Sequence, residues 1–593
     1  MTSLLICGLV AVIVSTGNSA SGQEVDTTHG KIIGLRTSVL SKPIDTYYGI
    51  PFAKPPIGDL RFKHPQPIDP WRPEVKDARA QKPSCQQAIQ FSLGMAWRAI
   101  PPSVSEDCLY INVWAPANVT ANAKLATMVW IYGGSFTSGS INMPLYSGKY
   151  LAAEKNVIVM SMNYRLGAHG FLYLGPDTFP GNQGLMDQTL ALQWIHNNVE
   201  RFGGDANMIT LFGESAGAGS VGHLLLSPKS RDLFTRAILQ SGSPLPAWAV
   251  QEPSMAIGST RRLAEMSNCS ARYDADIYQC IKDLPPGTIV DNQARVFAVG
   301  GVPFGPVVDG FFLPDTPIAL LEKGEMKKTE ILMGVNKNEG TLFLPSTMPT
   351  VFTLSNQINV TRTQFLLAVR IFAATNGQSS TMVKAIMAQY DEVQVPSLRK
   401  DYLETVDNIL GDSYFKCPSA KLADFYAVEN DVYFYSFDHR LSAFTLPLWM
   451  GVPHSAEMEM MFGQPLGDAF AGPEEEKLTS RSMMTYWANF AKTGNPNLPE
   501  TPNFQWPRYS TTDETFLVFT AAGQSTNQGL RKQQCVFWDT LMPLIIENDD
   551  TRTGSETTTE KVVYVCQNDG SRMSLSLGLF WGVALATLFS IET

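Results

Sequence analysis

Charged residues are scarce in this chain, and the charge that is present is mostly negative. Asp, Glu, Lys and Arg make up 17% of the 593 residues, with 45 Lys and Arg against 55 Asp and Glu. A formal net charge of -10 argues against nucleic-acid binding, which needs clustered basic side chains, and is compatible with a cationic small-molecule substrate. Because 44% of the residues are hydrophobic, disorder is not expected for the bulk of the chain.

The chain also lacks a low-complexity linker and an internal repeat. Its length alone would suggest several domains, but large α/β enzymes can carry this many residues on one sheet with long insertions. We therefore predict one catalytic domain over residues 21–546.

No CxxC pair is present, which argues against a zinc site and a thioredoxin-like redox motif, and we expect neither metal nor cofactor. Closing the short loops first predicts three intrachain disulfides: Cys85 with Cys108, Cys269 with Cys280, and Cys417 with Cys535. Of the two remaining cysteines, Cys7 falls in the apolar run at the start of the chain, which we expect to be removed, and we predict that Cys566 forms an intersubunit disulfide. Sequons predict surface glycans at Asn118, Asn268 and Asn359.

Long apolar runs occur only at the two ends. The run LLICGLVAVIVS at 4–15 is too short to span a bilayer comfortably and predicts a signal peptide over 1–20. A second run at 573–591 follows a polar stalk at 547–567, and it predicts a GPI-anchor signal over 568–593, with a plain transmembrane anchor as the alternative. Both ends favour a protein held on the extracellular face of the cell membrane.

The first half of the chain alternates apolar strand-like segments with helical ones. Segments at 125–134, 155–165 and 207–215 are built around mainly apolar strand-like cores, and 184–203 has a helical pattern. This pattern predicts a large, mostly parallel sheet with helices on both faces. We expect an irregular insertion at 245–325 and a closing helix at 528–546, which packs either on a second subunit or on its own domain.

The sequence GESAG at 213–217 matches the G-x-S-x-G motif of a nucleophile elbow. An apolar strand precedes it and a run of small residues that can begin a helix follows it, which is the context the motif requires. Ser215 is therefore the predicted nucleophile. The expected oxyanion donors are the backbone N–H of Ala216, together with those of Gly134 and Ser135 in the glycine-containing loop YGGSF.

In hydrolases with a nucleophile elbow, the catalytic acid and then the catalytic histidine follow the serine along the chain. Only His223, His439 and His454 follow Ser215. His223 falls in the same helix as the serine, and His439 ends a strand between charged residues, so His454 on a loop is the predicted base. For the acid, Glu339 past an apolar strand is preferred, because α/β sheets place functional groups at the carboxyl ends of strands. The other candidate, Asp309, is predicted to be a turn residue.

Several segments resemble the cholinesterase and type-B carboxylesterase family: SEDCLYINVWAP, VWIYGGSF, GNQGLMDQTLALQW, FGESAGAGSVG, GVNKNEG, WMGVPHSAE and WANFAKTGNPN. The resemblance runs from about residue 25 to 546. It implies an α/β-hydrolase fold, a Ser215–His454–Glu339 triad, supporting roles for Glu214 and Ser241, the three disulfides above, and a dimer built from C-terminal helices. Ser135 departs from the family loop, which usually has Gly or Ala there. Adhesion members of the fold lack a complete triad, whereas this chain keeps all three residues.

The resemblance also implies a choline site. Trp97, inside the Cys85–Cys108 loop, is close to where cholinesterases carry a tryptophan that holds the ammonium by cation–π attraction, and Glu214 and Tyr146 would complete the cationic subsite. The family's bulky acyl-pocket positions are Gly300 and Val302 here, which predicts room for longer acyl chains lined by Trp248 and Phe343.

At the gorge mouth, where acetylcholinesterases carry Tyr, Asp and Tyr, this chain has Ala88, Gln90 and Thr137, so a peripheral aromatic site is not expected. The sequence thus predicts a serine esterase that hydrolyses choline esters through an acyl-enzyme. The alternatives are a broad carboxylesterase acting on neutral esters and, from another class, a poorly turning-over sequestering protein or an adhesion ectodomain.

Overall fold

The computed structural model describes residues 20–88, 99, 103–297, 301–376, 380–391, 401–468, 470 and 472–553. Its strands are β1 Ala20–Asp26, β2 Lys31–Val39, β3 Lys42–Pro51, β4 Val75–Asp77, β5 Ser84–Cys85, β6 Val104–Ser105, β7 Tyr110–Pro116, β8 Leu125–Ile131, β9 Ile158–Met162, β10 Tyr173–Gly175, β11 Phe179–Pro180, β12 Gly204–Glu214, β13 Arg236–Gln240, β14 Ile331–Asn336, β15 Val432–Phe437, β16 Thr515–Thr520 and β17 Gly523–Gln528.

The α-helices are α1 Lys149–Lys155, α2 Gly167–Phe171, α3 Gln183–Asn198, α4 Ala216–Leu226, α5 Pro253–Met266, α6 Asp274–Asp283, α7 Pro286–Gln293, α8 Pro317–Glu322, α9 Leu344–Thr347, α10 Arg362–Thr375, α11 Ser380–Tyr390, α12 Leu403–Gly411, α13 Cys417–Ala427, α14 Met458–Met461, α15 Glu474–Thr493, α16 Lys532–Val536 and α17 Met542–Thr553. Single turns of π-helix, Asp412–Lys416 and Phe537–Leu541, join α12 to α13 and α16 to α17.

Within the described residues, thirteen strands form one sheet, in the order β1-β2-β3-β7-β9-β8-β12-β13-β14-β15-β16-β17 with β4 beside β2. The strands from β9 to β16 run parallel, and antiparallel strands complete both ends. All residues of β9 and β14 are buried. Because successive side chains point to opposite faces, this burial means that the sheet is covered on both faces, which confirms the predicted architecture.

The parallel register brings four strand ends to one edge of the sheet. Gly213 of β12 lies opposite Ile131, the last residue of β8, and Glu214 lies opposite Gln240, the last residue of β13. Gln240 in turn lies opposite Gly334 of β14. The segments that follow these strands therefore begin side by side, where ligands bind in open α/β sheets.

Two sequence-based expectations about helices were wrong. The segment 245–325 is not irregular, because the four helices α5 to α8 lie in it. Two of them, α6 and α7, have only ten and eight residues. The closing helix does not begin at Gln528, which still belongs to β17. Positive φ angles of 66° at Gly529 and 52° at Arg531 turn the chain before α16 begins at Lys532. The helix also continues past 546 to Thr553.

The three predicted intrachain disulfides are present as Cys85–Cys108, Cys269–Cys280 and Cys417–Cys535. Asn118, Asn268 and Asn359 are exposed, as glycan acceptors must be, and their glycosylation stays a prediction. In the part of the chain that the structure describes, no helix combines the length and the apolar composition that crossing a membrane requires. The signal segment up to residue 19, Cys566 and the anchor segment 568–593 lie outside the described residues.

Candidate active site

Ser215 occupies the sharp turn between β12 and α4. Its φ of 56° and ψ of -124° fall in a region that non-glycine residues rarely adopt, and such strain is characteristic of a nucleophile elbow. The Ser215 N–H donates to Gln240 O at 2.9 Å, and its carbonyl accepts from Gly219 N at the same distance. The turn is therefore held on one side by β13 and on the other by the first turn of α4.

The elbow packs backbone to backbone against the loop after β8. A Cβ on Gly217 would lie 2.0 Å from Ile131 O, and a Cβ on Gly133 would lie 2.5 Å from Glu214 O and 2.9 Å from Ser215 Cβ. All three distances are below van der Waals contact, so no larger residue fits at either position. This close approach brings the YGGSF loop beside Ser215.

Glu339 and His454 form a short, buried hydrogen bond. His454 Nδ1 lies 2.6 Å from Glu339 Oε2, and the two side chains are 5% and 0% exposed. The other oxygen of Glu339 accepts from Ser241 Oγ at 2.7 Å and from the Asn336 N–H at 2.6 Å. The carboxylate is therefore oriented by the residue that follows β13 and by the last residue of β14, independently of its bond to the imidazole.

The second ring nitrogen of His454 faces another carboxylate. His454 Nε2 lies 3.1 Å from Oε1 of Glu214, which is itself buried and directly precedes Ser215. Burial by itself would lower the pKa of His454, but the charges of Glu214 and Glu339 and the bond to Glu339 outweigh it and raise the pKa. The two carboxylates therefore stabilise the imidazolium form of His454.

The YGGSF loop has three successive residues with positive φ: 107° at Gly134, 54° at Ser135 and 57° at Phe136. The Gly134 carbonyl accepts from the N–H groups of Thr137 and Ser138, both at 3.0 Å, and so is directed into its own turn. Successive backbone N–H groups in a turn can form an anion-binding concavity, and those of Gly134 and Ser135 are the candidates in this turn.

A profile of the carboxylesterase family matches residues 21–538. The chain belongs to this family. It is 41% identical over 556 residues to the acetylcholinesterase of Bungarus fasciatus, covering 92% of this chain and 91% of that protein. It is 40% identical over 533 residues to the cholinesterase of Mus musculus, covering 88% of this chain and 87% of that protein. The chain therefore has the α/β-hydrolase fold of this family, and its relatives include proteins named acetylcholinesterase and cholinesterase.

The two histidines and the aspartate that the sequence offered as alternatives for the triad make structural hydrogen bonds. His223 Nε2 lies 2.8 Å from Ala249 O, and His439 Nε2 lies 3.0 Å from Glu476 Oε1. Asp309 Oδ1 accepts from the N–H groups of Phe311, Phe312 and Leu313, which makes it a turn residue. These contacts agree with the sequence-based exclusion of all three.

Aromatic rings surround His454. The Phe343 ring centroid lies 5.3 Å from the imidazole, and Phe415 lies closer, at 4.3 Å. Trp248 packs against Phe415 at 5.8 Å and donates its indole N–H to Tyr414 O at 3.0 Å. Phe343 thus contacts His454 directly and Trp248 reaches it through Phe415, which the sequence reasoning missed; that Phe343 and Trp248 line an acyl pocket stays a prediction. The sequence context of Phe415 carried no signal, because the π-turn that carries it could not be foreseen.

The roles predicted for the remaining substrate-side residues stay predictions, and the structure gives only the surroundings of some of them. Tyr146 is buried, with its ring 5.1 Å from Trp130 and 5.8 Å from Phe462. Val302 is buried beside Gly305, where a Cβ would lie 3.1 Å from Val302 Cγ1. Trp97, Gln90 and Gly300 lie outside the described residues.

Sequence reasoning also missed Glu457, which is linked to Glu339 through Asn336. It is fully buried and accepts from Asn336 Nδ2 at 2.6 Å and from Gln240 Nε2 at 3.1 Å. Burial raises its pKa, although the bonds from Asn336 and Gln240 lower it in part. The spacing His-x-x-Glu from His454 is the signal that could have identified it.

Among the described residues, no group of three His, Cys, Asp or Glu side chains is arranged to bind a metal ion.

Proposed function

We propose that this carboxylesterase hydrolyses choline esters, with Ser215 as nucleophile, His454 as general base and Glu339 as the acid that orients it. The observation that carries the proposal is the 2.6 Å bond between His454 Nδ1 and Glu339 Oε2 at the strand edge that bears the strained Ser215 elbow. Acyl-transfer enzymes combine a base oriented by a carboxylate with a serine on such a turn, and here both lie at the same edge of the sheet.

The proposed reaction has two halves. His454 Nε2 takes the proton of the Ser215 hydroxyl while Oγ adds to the ester carbonyl, and the resulting oxyanion accepts hydrogen bonds from the N–H groups of Gly134, Ser135 and Ala216. The C–O bond to choline then breaks, and His454 returns the proton to the departing choline oxygen. Water repeats the sequence on the acyl-enzyme, releasing the carboxylic acid and restoring Ser215.

Two features support a cationic leaving group. Glu214 places a buried carboxylate directly beside the nucleophile, where it would attract a quaternary ammonium group. The proposed platform, Trp97, lies in the loop closed by the Cys85–Cys108 disulfide. A cation over an indole face gains up to about 2 kcal/mol when it is desolvated. The names of the two relatives, an acetylcholinesterase and a cholinesterase, agree with this substrate class.

The choline site is tested by Trp97→Ala with paired substrates. Acetylthiocholine and butyrylthiocholine are compared with 3,3-dimethylbutyl thioacetate, which has the same shape as acetylthiocholine without the charge, and with a neutral aryl ester. We expect kcat/KM to fall roughly 30-fold for the cationic esters only, since about 2 kcal/mol corresponds to that factor. Trp97→Phe, which keeps a π face, should recover part of the loss.

An equal fall on all four substrates would contradict the choline site and favour the second candidate, a broad carboxylesterase. That candidate has one specific support, which is Val302 in place of a bulky aromatic residue. A pocket of this kind discriminates weakly among acyl chains, because one methylene is worth only about 1–3 kcal/mol.

We further propose that the mature protein is a secreted, glycosylated, disulfide-linked dimer anchored by a C-terminal lipid. In cells expressing the full chain, phosphatidylinositol-specific phospholipase C should release esterase activity into the medium. Retention after this treatment would favour the transmembrane alternative.

Cys566→Ser should convert the dimer to a monomer on a non-reducing gel, and an unchanged dimer would rule out the Cys566 bridge.

A further inference from the structure

Asn338 joins the segment that carries Glu339 to the loop that carries His454. It directly precedes Glu339, and its N–H donates to Val452 O at 2.9 Å. Its side-chain Oδ1 accepts from the Val452 N–H at 3.1 Å. Val452 lies two residues before His454, so one residue binds the histidine loop through both its main chain and its side chain.

The amide of Asn338 is held in one orientation by Asp407. Asn338 Nδ2 donates to Asp407 Oδ2 at 2.9 Å, and Asp407 is 1% exposed on α12. A carboxylate can only accept here and the Val452 N–H can only donate, so a flipped amide would lose both bonds. Burial raises the pKa of Asp407 to about 6, although attraction to Lys416 and the bond from Asn338 lower it in part.

The surrounding chain leaves the Asn338 side chain little freedom. Gly451 has a φ of 58°, and a Cβ there would lie 2.3 Å from Asn338 Oδ1, so the backbone of the histidine loop is pressed against the amide. On the other side, the buried ammonium of Lys416 donates to Lys337 O at 2.8 Å. Two buried charged side chains, Asp407 and Lys416, thus hold the two residues that precede Glu339.

We infer that Asn338, oriented by Asp407, is a positioning residue that sets the distance between Glu339 and His454. Glu339 is already fixed on the sheet by Ser241 and Asn336, so the variable partner in the 2.6 Å bond is the histidine loop. Asn338 is the residue next to Glu339, and its two bonds to Val452 tie the histidine loop to the segment that carries the acid. The inference rests on the proposed function, because it assigns Asn338 a role in the same triad.

The test is Asn338→Leu in the full-length protein, which keeps the number and branching of the side-chain heavy atoms and removes both side-chain hydrogen bonds. We expect kcat per active site, counted by titration with a phosphylating reagent, to fall roughly 10- to 100-fold with little change in KM, since a misplacement of about 1 Å can cost a factor of that order. The acidic limb of the kcat/KM profile should move to lower pH, because His454 loses part of its bond to Glu339.

Two further variants separate positioning from general stability. Asn338→Asp should keep most of the activity at neutral pH, because two adjacent buried carboxyl groups share a proton and remake the bond to Asp407. Asn356→Leu is the matched control: its exposed side chain accepts from Leu448 N–H at 2.8 Å, earlier in the same loop, and kcat should not change.

A wild-type kcat per active site in Asn338→Leu would overturn the inference alone, as would a loss explained entirely by fewer titratable sites. A wild-type protein without any esterase activity would overturn the proposed function, and this inference with it.

Discussion

Ser215→Ala is expected to remove esterase activity, lowering kcat by a factor on the order of 10⁴ to 10⁶, as the loss of a nucleophile does in serine hydrolases. The variant cannot form an acyl-enzyme, and the N–H groups of the YGGSF loop can stabilise only a rare direct attack by water. Hydrolysis of acetylthiocholine and of a neutral aryl ester should fall together, because both use the same oxygen.

The control for this variant is Ser220→Ala, a buried serine in the same helix whose Oγ accepts from Gln188 Nε2 at 3.1 Å. It should keep kcat, since its hydroxyl meets α3 rather than the elbow. Both variants should retain the folded protein in near-ultraviolet circular dichroism. Turnover by a pure, folded Ser215→Ala protein at a tenth of the wild-type rate would exclude the mechanism.

Glu339→Gln is expected to lower kcat by a factor on the order of 10⁴, the size of effect that an acid-to-amide change has in a serine protease triad. The Asn336 N–H can only donate, so the oxygen of the introduced amide should remain on that side. The NH₂ group of that amide would then face His454 Nδ1, which must become the acceptor. The ring proton would move to Nε2, and the nitrogen that serves Ser215 could no longer take a proton.

The pH profile provides the second readout for Glu339→Gln. The carboxylates that face His454 raise its pKa against the effect of burial, so wild-type kcat/KM rises with pH as His454 loses its proton. Removing the charge of Glu339 lowers this pKa, and the acidic limb should move to lower pH. Glu214→Gln should move the limb in the same direction with a much smaller fall in kcat, because it leaves the tautomer unchanged. An acidic limb unmoved in both variants would show that His454 is not the titrating base.

The elements that could be predicted are those encoded by a short stretch of sequence. The apolar strands before Ser215 and Glu339 and the glycines around the elbow are properties of short segments, and they were identified from the sequence. The helices in the 245–325 insertion were missed because α6 and α7 are short. The start of the closing helix was misplaced because the two left-handed residues before Lys532 give only a weak signal.

The partners of the candidate site were harder to foresee. Phe415 reaches His454 through one turn of π-helix, and an extra residue in a turn changes which side chain faces the site. Asp407 and Asn338 are both ordinary polar residues in sequence. Their meaning appears only when α12 brings a buried carboxylate to an amide 69 residues away in the chain.

By itself the sequence determined the residue types, their order and the fold: a serine in a glycine-flanked turn, an acid after a strand, and few histidines to choose from. Only the tertiary structure decided that Glu214 faces His454 Nε2, that Glu457 lies behind the acid, and that Asn338 joins the two halves of the site. The physical reason is that these are hydrogen bonds and ion pairs between segments far apart in the chain. Their distances, and the burial that gives them their strength, are set by packing of the whole sheet and its helices.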